Sequence, residues 1–352
     1  MTHQEIEFHN IAALEPHPAA AGELQMLRVP FNVGRQMSDR GRWNSQQTPG
    51  CELRFVTEAT HFRLFLSSLE GDAEVLVYRG ENLVTREWLA PGGPVTFHVH
   101  APSPNQSQDS QALAAHARFA PHVWRVVLAG YQPVFHGLDT FGWEVRPPRD
   151  DEKPKLTWLA YGSSITAGSG SARTDMCYAQ LTARHLGVDL LNMGFGGACH
   201  CEGALADFFA AKEDWDFATL ELGINMRSSF EPDEFAQRAQ YLIDQLLNDG
   251  THRPIILITP FITGLDHASP CPLEISRQRD YEKWMRQRVE DDSSGRLFLV
   301  EGTELLSELS MLCADMVHPD PYGHVMISQR LASAMRRMCP SLFEGLPGGI
   351  HS

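Results

Sequence analysis

The sequence predicts an α/β protein built in two parts: an antiparallel, jelly-roll-like β-sandwich, followed by a parallel β-sheet with helices on both faces. Three observations predict this division. Short β-forming segments separated by turn residues fill the first part, and apolar strands alternate with helical segments in the second. Between them lies "RPPRDDEKPK", a stretch rich in proline and charge that is typical of a linker.

The predicted domains follow from these patterns. We expect the sandwich over residues 1–148, the linker over 149–154, the second domain over 155–340 and a loose or surface-bound tail over 341–352. Helix signals are weak in the first part, where turn segments such as "APGGP" separate several of the strands. Its predicted strands are "CELRFV", "HFRLFLSS", "AEVLVYR", "PVTFHVH", "HVWRVVLA" and "FGWEV".

The second part contains apolar segments that are typical of parallel strands buried on both faces. The longest helical pattern lies between the third and fourth strands, with Pro232 at its first turn and Gly250 as its stop signal. The predicted strands span residues 156–161, 189–193, 217–222, 255–259 and 297–300.

Composition excludes several classes of partner. A net charge of −15 opposes binding to nucleic-acid phosphates and anionic lipid surfaces, and no run of Lys and Arg offsets it. No apolar stretch has the length of a signal-peptide core or a membrane span, so we expect a cytoplasmic protein. The seven cysteines are odd in number and irregularly spaced, which favours reduced thiols over disulfides.

The segment Cys199–His200–Cys201 is a candidate metal site. A zinc site needs about four ligands, and no second cluster such as CxxC accompanies it. We therefore favour two thiols and a histidine in a loop, and we expect no metal and no organic cofactor.

The stretch "AYGSSITAG" places Ser163 and Ser164 where the first parallel strand ends and a helix is expected to begin. A serine at this point can present its hydroxyl beside free backbone N–H groups, and the flanking glycines allow a ligand to approach closely. A simple turn or helix cap of small residues is the alternative. A phosphate-binding loop is disfavoured because neither GxxxxGK[ST] nor GxGxxG is present here.

Two further motifs follow the next two strands. "NMGFGGACH" contains three glycines that can bring backbone N–H groups near a bound atom, although an ordinary glycine-rich loop has the same pattern. "ELGINM" leaves Asn225 just beyond a strand, where its uncharged amide can donate hydrogen bonds to a developing oxyanion. Because strand ends of a parallel sheet share one edge, we expect these motifs to converge.

The fourth motif, "ADMVHPDPYGH", places Asp315 three residues before His318. At this spacing the carboxylate can orient the imidazole and stabilise its protonated form. We interpret His324 as a structural histidine. Taken together, the four motifs predict a site for nucleophilic catalysis.

These four motifs resemble the blocks of the SGNH hydrolase superfamily, the GDSL-type esterases, over roughly residues 155–338. "GSSIT", "NMGFGG", "GIN" and "DMVH" match in that order. The resemblance implies a three-layer, flavodoxin-like α/β/α hydrolase domain with Ser164, Asp315 and His318 as catalytic residues. It also implies an oxyanion hole formed by the backbone of Ser164 and Gly197 and the side chain of Asn225. More loosely, residues 31–68 resemble the sandwich domain of a bacterial subset.

The first block departs from the usual pattern, since Ser163 stands where an aspartate normally precedes the nucleophile. A hydroxyl keeps a hydrogen bond but not the charge, so local stability or the behaviour of His318 is expected to differ. GxSxG is absent, because Thr166 occupies its last position, which disfavours an α/β-hydrolase elbow.

The predicted function is hydrolysis of small acyl esters, acetyl esters above all, of carbohydrates or other small molecules. A lipase, lysophospholipase or thioesterase of the same superfamily remains open, as does a carbohydrate-binding protein on an inactive esterase scaffold. The sequence leaves oligomeric state open, including a homo-oligomer. We expect the tryptophans of the first part to lie in the core rather than to form sugar platforms; they are Trp43, Trp88, Trp124 and Trp143.

Overall fold

The computed structural model describes residues 1–17, 23–102 and 117–346, which form two β-sheets. The first sheet is antiparallel and has nine strands. They are β1 (Thr2–His3), β2 (Ile6–His9), β3 (Ala13–Pro16), β4 (Leu24–Leu27), β5 (Cys51–Val56), β6 (His61–Arg79), β7 (Asn82–Leu89), β8 (Val95–His100) and β9 (Val123–Asp139).

Two long strands join this sheet into one curled surface. β6 and β9 pair along most of their lengths, and their register shifts after Phe65 and again between Glu70 and Glu74. Such irregularities increase bending and twist. Leu64 and Val75, from opposite halves of β6, consequently pack in one apolar core with Phe8 of β2. The two predicted strands at 61–68 and 73–79 are thus parts of a single strand.

The second sheet is parallel, with the order β11-β10-β12-β13-β14. All five predicted strands are confirmed to within about two residues at each end. They are β10 (Thr157–Gly162), β11 (Asp189–Gly194), β12 (Phe217–Glu221), β13 (Ile255–Ile258) and β14 (Leu297–Val300).

Nine α-helices lie within the described residues, and the helix predicted to start at Pro232 is confirmed as α6. They are α1 (Phe31–Gly34), α2 (Asp39–Ser45), α3 (Ser164–Ala167), α4 (Tyr178–Leu186), α5 (Gly203–Ala211), α6 (Pro232–Leu247), α7 (Leu273–Glu290), α8 (Gly302–Leu305) and α9 (Pro321–Met338). Short 3-10 helices occur at Asp150–Glu152, Thr174–Met176, Gly264–His267, Leu309–Met311 and Pro340–Leu342.

Helices cover both faces of the parallel sheet. Leu159 and Tyr161 of β10 face the core formed with α5, α6 and α7. Trp158 and Ala160 of the same strand face the core formed with α4 and α9. Because successive strand residues point to opposite faces, an unbroken apolar run is required here, as the sequence predicted.

Three expectations for the N-terminal region, residues 1–148, were wrong. Residues 141–145 form a turn and extended chain after β9 rather than a strand. Two short helices, α1 and α2, occur where no helix was expected. Of the four tryptophans only Trp124 is fully buried; the side chains of Trp43, Trp88 and Trp143 are 37%, 61% and 55% exposed. Trp88 lies on β7, an edge strand that pairs with β6 alone and whose residues are mostly exposed.

Side chains of the N-terminal region bind backbone groups on the outer edge of β11. Edge-strand carbonyl groups that point away from the sheet need hydrogen-bond donors when they are buried. Four alternate carbonyl oxygens find them: Val188 with Arg118 (3.1 Å), Leu190 with His9 (2.8 Å), Asn192 with Asn10 and Arg28 (3.1 and 2.8 Å), and Gly194 with Arg28 (3.2 Å). Side chains from the N-terminal region thus pair the edge of the second sheet.

A buried charge cluster joins the two sheets near the start of β11. Arg54 forms a bidentate pair with Asp189 at 2.6 and 2.8 Å, and its Nε donates to Glu52 at 2.8 Å. Arg125 also binds Glu52, at 2.6 Å. These side chains are nearly inaccessible to solvent, so each carboxylate depends on its arginine partner.

The predicted linker is held against the first sheet. Glu152 accepts hydrogen bonds from Arg146 at 2.6 and 2.7 Å, and Lys153 pairs with Glu7 at 2.8 Å. In the tail, the buried Phe343 packs edge-on against Phe217 at 5.3 Å, while residues 347–352 lie outside the described chain. None of the helices in the described ranges combines the length and apolarity needed to cross a membrane.

We expect Arg54→Ala to lower the free energy of unfolding by about 3–5 kcal/mol, because it leaves Asp189 buried without its main partner and removes one of the two arginines that bind Glu52. The control is Arg42→Ala, which breaks an exposed pair with Asp39 and should cost less than about 1 kcal/mol. Urea unfolding followed by circular dichroism measures both. Equal losses in the two variants would contradict the role given to the buried cluster.

Candidate active site

The structure brings Ser164 and His318 together at the carboxyl edge of the parallel sheet. Ser164 begins α3 directly after β10, and His318 lies in the loop before α9. Its Nε2 is 2.8 Å from Ser164 Oγ, although 154 residues separate them along the chain. This is hydrogen-bond distance for proton transfer from the hydroxyl to the imidazole.

Asp315 holds the other side of the imidazole. Its Oδ2 is 2.6 Å from His318 Nδ1, and its Oδ1 accepts backbone N–H groups of Val317 and His318 at 2.9 and 3.0 Å. The hydrogen bond with the His318 side chain is the main reason why the pKa of Asp315 falls to about 2, and the backbone donors add to it. The carboxylate is therefore charged at neutral pH and fixed in orientation.

The two serines of the first motif differ in exposure. Ser163 is fully buried, and its hydroxyl accepts the Ile165 N–H at 3.1 Å as the N-cap of α3. Ser164 is only partly buried and points its hydroxyl to His318. Ser163 thus serves the turn, and Ser164 is the serine that a substrate can reach.

Gly197 lies in the loop after β11, which we call the glycine loop (residues 194–198). Its φ of +67° is in the left-handed region, where glycine has no steric cost. A Cβ atom on the neighbouring Gly196 would be 3.3 Å from the Ser164 Cβ, so the loop borders the nucleophile. Asn225 is fixed by the Cys199 N–H, which donates to its Oδ1 at 3.2 Å. Within the described chain neither the Gly197 N–H nor the Asn225 Nδ2 donates to another protein atom.

Glu221, at the end of β12, is a site residue that the sequence reasoning missed. It is fully buried, and its Oε2 accepts the Ser163 N–H at 2.6 Å and lies 3.3 Å from Thr166 Oγ1. Burial raises its pKa to about 7, against the opposing effect of these hydrogen bonds. A glutamate inside the apolar strand "FATLEL" was the available signal.

Glycine at position 162 makes room for this carboxyl group. A Cβ atom there would lie 2.7 Å from Glu221 Oε2 and 2.1 Å from Thr166 Oγ1, closer than real contacts allow. An acidic side chain therefore lies beneath the turn at Ser163 and Ser164, and it comes from Glu221 on the neighbouring strand β12 rather than from residue 163.

The remaining candidates have structural contacts. Cys199 and Cys201 are buried, and burial raises the pKa of both thiols. The Cys201 N–H donates to the Tyr161 hydroxyl at 3.1 Å. His324 Nδ1 accepts the Tyr178 N–H at 3.0 Å, and burial lowers its pKa to about 4, so the ring is neutral. Over the described ranges, no group of three or more His, Cys, Asp or Glu side chains is placed to hold a metal ion.

Helix α2 of the N-terminal region borders the glycine loop. The sequence did not predict this contact. Asn44, fully buried, donates to Gly196 O at 3.1 Å, and Arg40 Nε donates to the same oxygen at 3.3 Å. Arg28 links Asn44 O to Gly194 O, at 2.9 and 3.2 Å. Burial lowers the pKa of Arg28 to about 10, which still leaves it charged at neutral pH. The segment "MSDRGRWNS" has a Ser cap and an acidic first turn, the usual signals of a helix start.

A serine, histidine and aspartate in hydrogen-bond contact at this edge of a parallel α/β sheet are typical of hydrolases that act on carboxylic esters. The chain matches the GDSL-like Lipase/Acylhydrolase family over residues 155–336. It therefore belongs to that family and is a carboxylic ester hydrolase, as the four motifs predicted.

Solved structures extend the likeness over nearly the whole chain. The salicylyl-acyltransferase SsfX3 from a tetracycline biosynthetic pathway superposes with a TM-score of 0.76 at 16% identity, covering 98% of this chain and 97% of the other. A GDSL-like lipase from Bacteroides ovatus gives 0.70 at 16% identity, with 96% of each chain covered. A family two carbohydrate esterase from Clostridium thermocellum, in complex with cellohexaose, gives 0.60 at 14% identity, covering 83% and 94%. These likenesses establish the fold. No curated protein matches the sequence significantly.

The raised pKa of Glu221 predicts a pH-dependent stability. Because its pKa is about 7 in the folded chain and 4.5 ordinarily, the folded state binds more protons between these values. The free energy of unfolding should therefore fall as pH rises through this window, by up to about 3 kcal/mol. Glu221→Gln removes the titration, so its stability relative to wild type should increase by about that amount from pH 4.5 to 8.

Urea unfolding at a series of pH values measures this difference. Glu213→Gln, which removes an exposed carboxyl group, is the matched control. A stability difference between Glu221→Gln and wild type that stays constant from pH 4.5 to 8 would contradict the assignment.

Proposed function

We propose that the protein is a serine esterase that removes small acyl groups, acetyl above all, from carbohydrates or other small molecules. The observation that carries this proposal is the continuous contact from Ser164 Oγ to His318 Nε2 (2.8 Å) and from His318 Nδ1 to Asp315 Oδ2 (2.6 Å). It gives a hydroxyl, a base and a group that orients the base.

In the first half-reaction Ser164 Oγ attacks the ester carbonyl carbon, and its proton passes to His318 Nε2. The imidazolium that forms is stabilised by Asp315, which remains ionised. Collapse of the tetrahedral intermediate breaks the bond to the alcohol oxygen, and His318 returns the proton to that oxygen. The acyl group stays on Ser164 as an ester, and the alcohol leaves.

In the second half-reaction His318 takes a proton from water as the water oxygen attacks the acyl-enzyme. Collapse of this second intermediate restores the Ser164 hydroxyl with the proton from His318 and releases the carboxylic acid. In both intermediates the oxyanion accepts from the backbone N–H of Ser164 and Gly197 and from Asn225 Nδ2, each worth about 3 kcal/mol. No metal ion or organic cofactor takes part in this scheme.

The substrate assignment draws on fold and composition. One structural relative is a carbohydrate esterase in complex with cellohexaose, which supports a carbohydrate or similar small molecule as the alcohol. The net charge of −15 disfavours nucleic acid and anionic membranes as partners. We also propose that residues 155–340 are a catalytic domain of flavodoxin-like type, given the strand order β11-β10-β12-β13-β14, and that residues 1–148 are a jelly-roll-like domain.

We expect Ser164→Ala to lower kcat/KM for 4-nitrophenyl acetate by several powers of ten, since the nucleophile is lost. Ser163→Ala removes the cap of α3 and leaves the contacts among Ser164, His318 and Asp315 in place, so its loss should be far smaller and accompanied by about 1 kcal/mol of destabilisation. A serine-directed phosphonate should label the wild type and Ser163→Ala at Ser164, and should not label Ser164→Ala. Equal losses at the two serines would contradict the choice of Ser164 as nucleophile, and an unreactive wild type would favour a binding protein on an inactive scaffold.

The acyl preference distinguishes the esterase from a lipase, lysophospholipase or thioesterase. We expect kcat/KM for 4-nitrophenyl esters to be highest for acetyl and to decrease with chain length through octanoyl. On each ester, the difference in hydrolysis rate between wild type and Ser164→Ala gives the rate that depends on Ser164. A maximum at long acyl chains, or a thioester turned over faster than its oxygen ester, would contradict the small-acyl proposal.

A further inference from the structure

Arg40 places a cation beside the candidate nucleophile. A Cβ atom on Gly197 would be 3.6 Å from Arg40 Nε and 3.8 Å from its Nη2. The adjacent Gly196 would in turn place its Cβ 3.3 Å from the Ser164 Cβ. The guanidinium group therefore borders Gly197, in the same loop that borders Ser164 through Gly196.

The charge of Arg40 is not neutralised by its own chain. Its Nε donates to Gly196 O at 3.3 Å, but within the described residues no carboxylate forms an ion pair with it. Two acidic residues close to α2 have other partners. Asp39 binds Arg42 at 2.6 Å, and Glu202 accepts from the N–H and hydroxyl of Ser38 at 2.9 and 2.6 Å. Four of the five guanidinium N–H bonds are thus available in a protein of net charge −15.

Arg40 is also held in position before a substrate arrives. Its guanidinium carbon lies 4.7 Å from the centre of the Trp43 ring, which stacks on Tyr131 at 5.1 Å and 22°. Asn44 anchors the backbone of α2, donating to Arg40 O at 2.9 Å and to Gly196 O at 3.1 Å. A preorganised guanidinium loses less conformational entropy when it binds an anion than a free surface arginine does.

We propose that Arg40 is a specificity-determining residue that binds an anionic group of the substrate, a carboxylate in its simplest form, while the ester carbonyl faces the Gly197 N–H. This proposal rests on the proposed esterase function. A carboxylate that extends from the ester towards Gly197 can form charge-assisted hydrogen bonds with the free N–H groups of Arg40. This carboxylate can belong to the acyl part or to the alcohol part of the substrate, and it forms the same hydrogen bonds with Arg40 in either case.

Two pairs of esters test the proposal and distinguish these two positions. The first pair is 4-acetoxybenzoate and its methyl ester, which differ by a charge on the alcohol side. The second is mono-4-nitrophenyl glutarate and its methyl ester, which differ by a charge on the acyl side. For each pair the ratio of kcat/KM, anion over neutral, is measured in wild type, Arg40→Gln, Arg40→Lys and the control Arg42→Gln.

We expect the anion-to-neutral ratio of at least one pair to be about tenfold higher in wild type than in Arg40→Gln. Arg40→Lys should keep part of the preference and Arg42→Gln all of it, and 0.5 M NaCl should reduce it in the wild type. Ratios that are the same in wild type and Arg40→Gln for both pairs would overturn the role of Arg40. If instead no neutral ester were turned over in a Ser164-dependent way, the esterase proposal itself would fail.

Discussion

The buried carbonyl groups on the outer edge of β11 need hydrogen-bond donors, and the contact between the two sheets depends on this constraint. Side chains of the N-terminal region supply these donors in place of another strand. Arg28 carries the largest share, because its guanidinium binds Asn192 O and Gly194 O as well as Asn44 O. The same hydrogen bonds that complete the sheet therefore also fix the start of the glycine loop.

The site is thus supported from two sides. From within the sheet, Glu221 accepts the Ser163 N–H beneath the nucleophile turn, and Gly162 leaves the space that this buried carboxyl group requires. From outside, α2 binds Gly196 O through Asn44 and Arg40. Both supports act on backbone groups adjacent to the reactive hydroxyl, and neither uses the side chains proposed to carry out the chemistry.

The sequence predicted the parallel strands, the α6 helix and the convergence of four motifs, because each depends on local periodicity or on the rule that strand ends share an edge. It did not predict α2, whose seven residues are held by contacts with distant parts of the chain, among them Gly196 and Glu202. Glu221 lies inside an apolar strand pattern, and its role depends on Ser163, 58 residues away. Trp88 was misplaced because composition does not reveal which parts of an antiparallel sheet are covered. Trp43 lies on α2 and Trp143 in the segment after β9, two places where the expected structure was wrong.

The position of α2 has a consequence for how such an enzyme can diversify. The proposed nucleophile, its base and the proposed oxyanion donors are encoded after residue 155, whereas Arg40, the cation proposed to select substrates, is encoded within the first 45 residues. Changes in the early part of the gene can therefore alter which molecules are accepted while the bond-breaking apparatus stays intact. Selection can act on substrate choice and on reactivity separately.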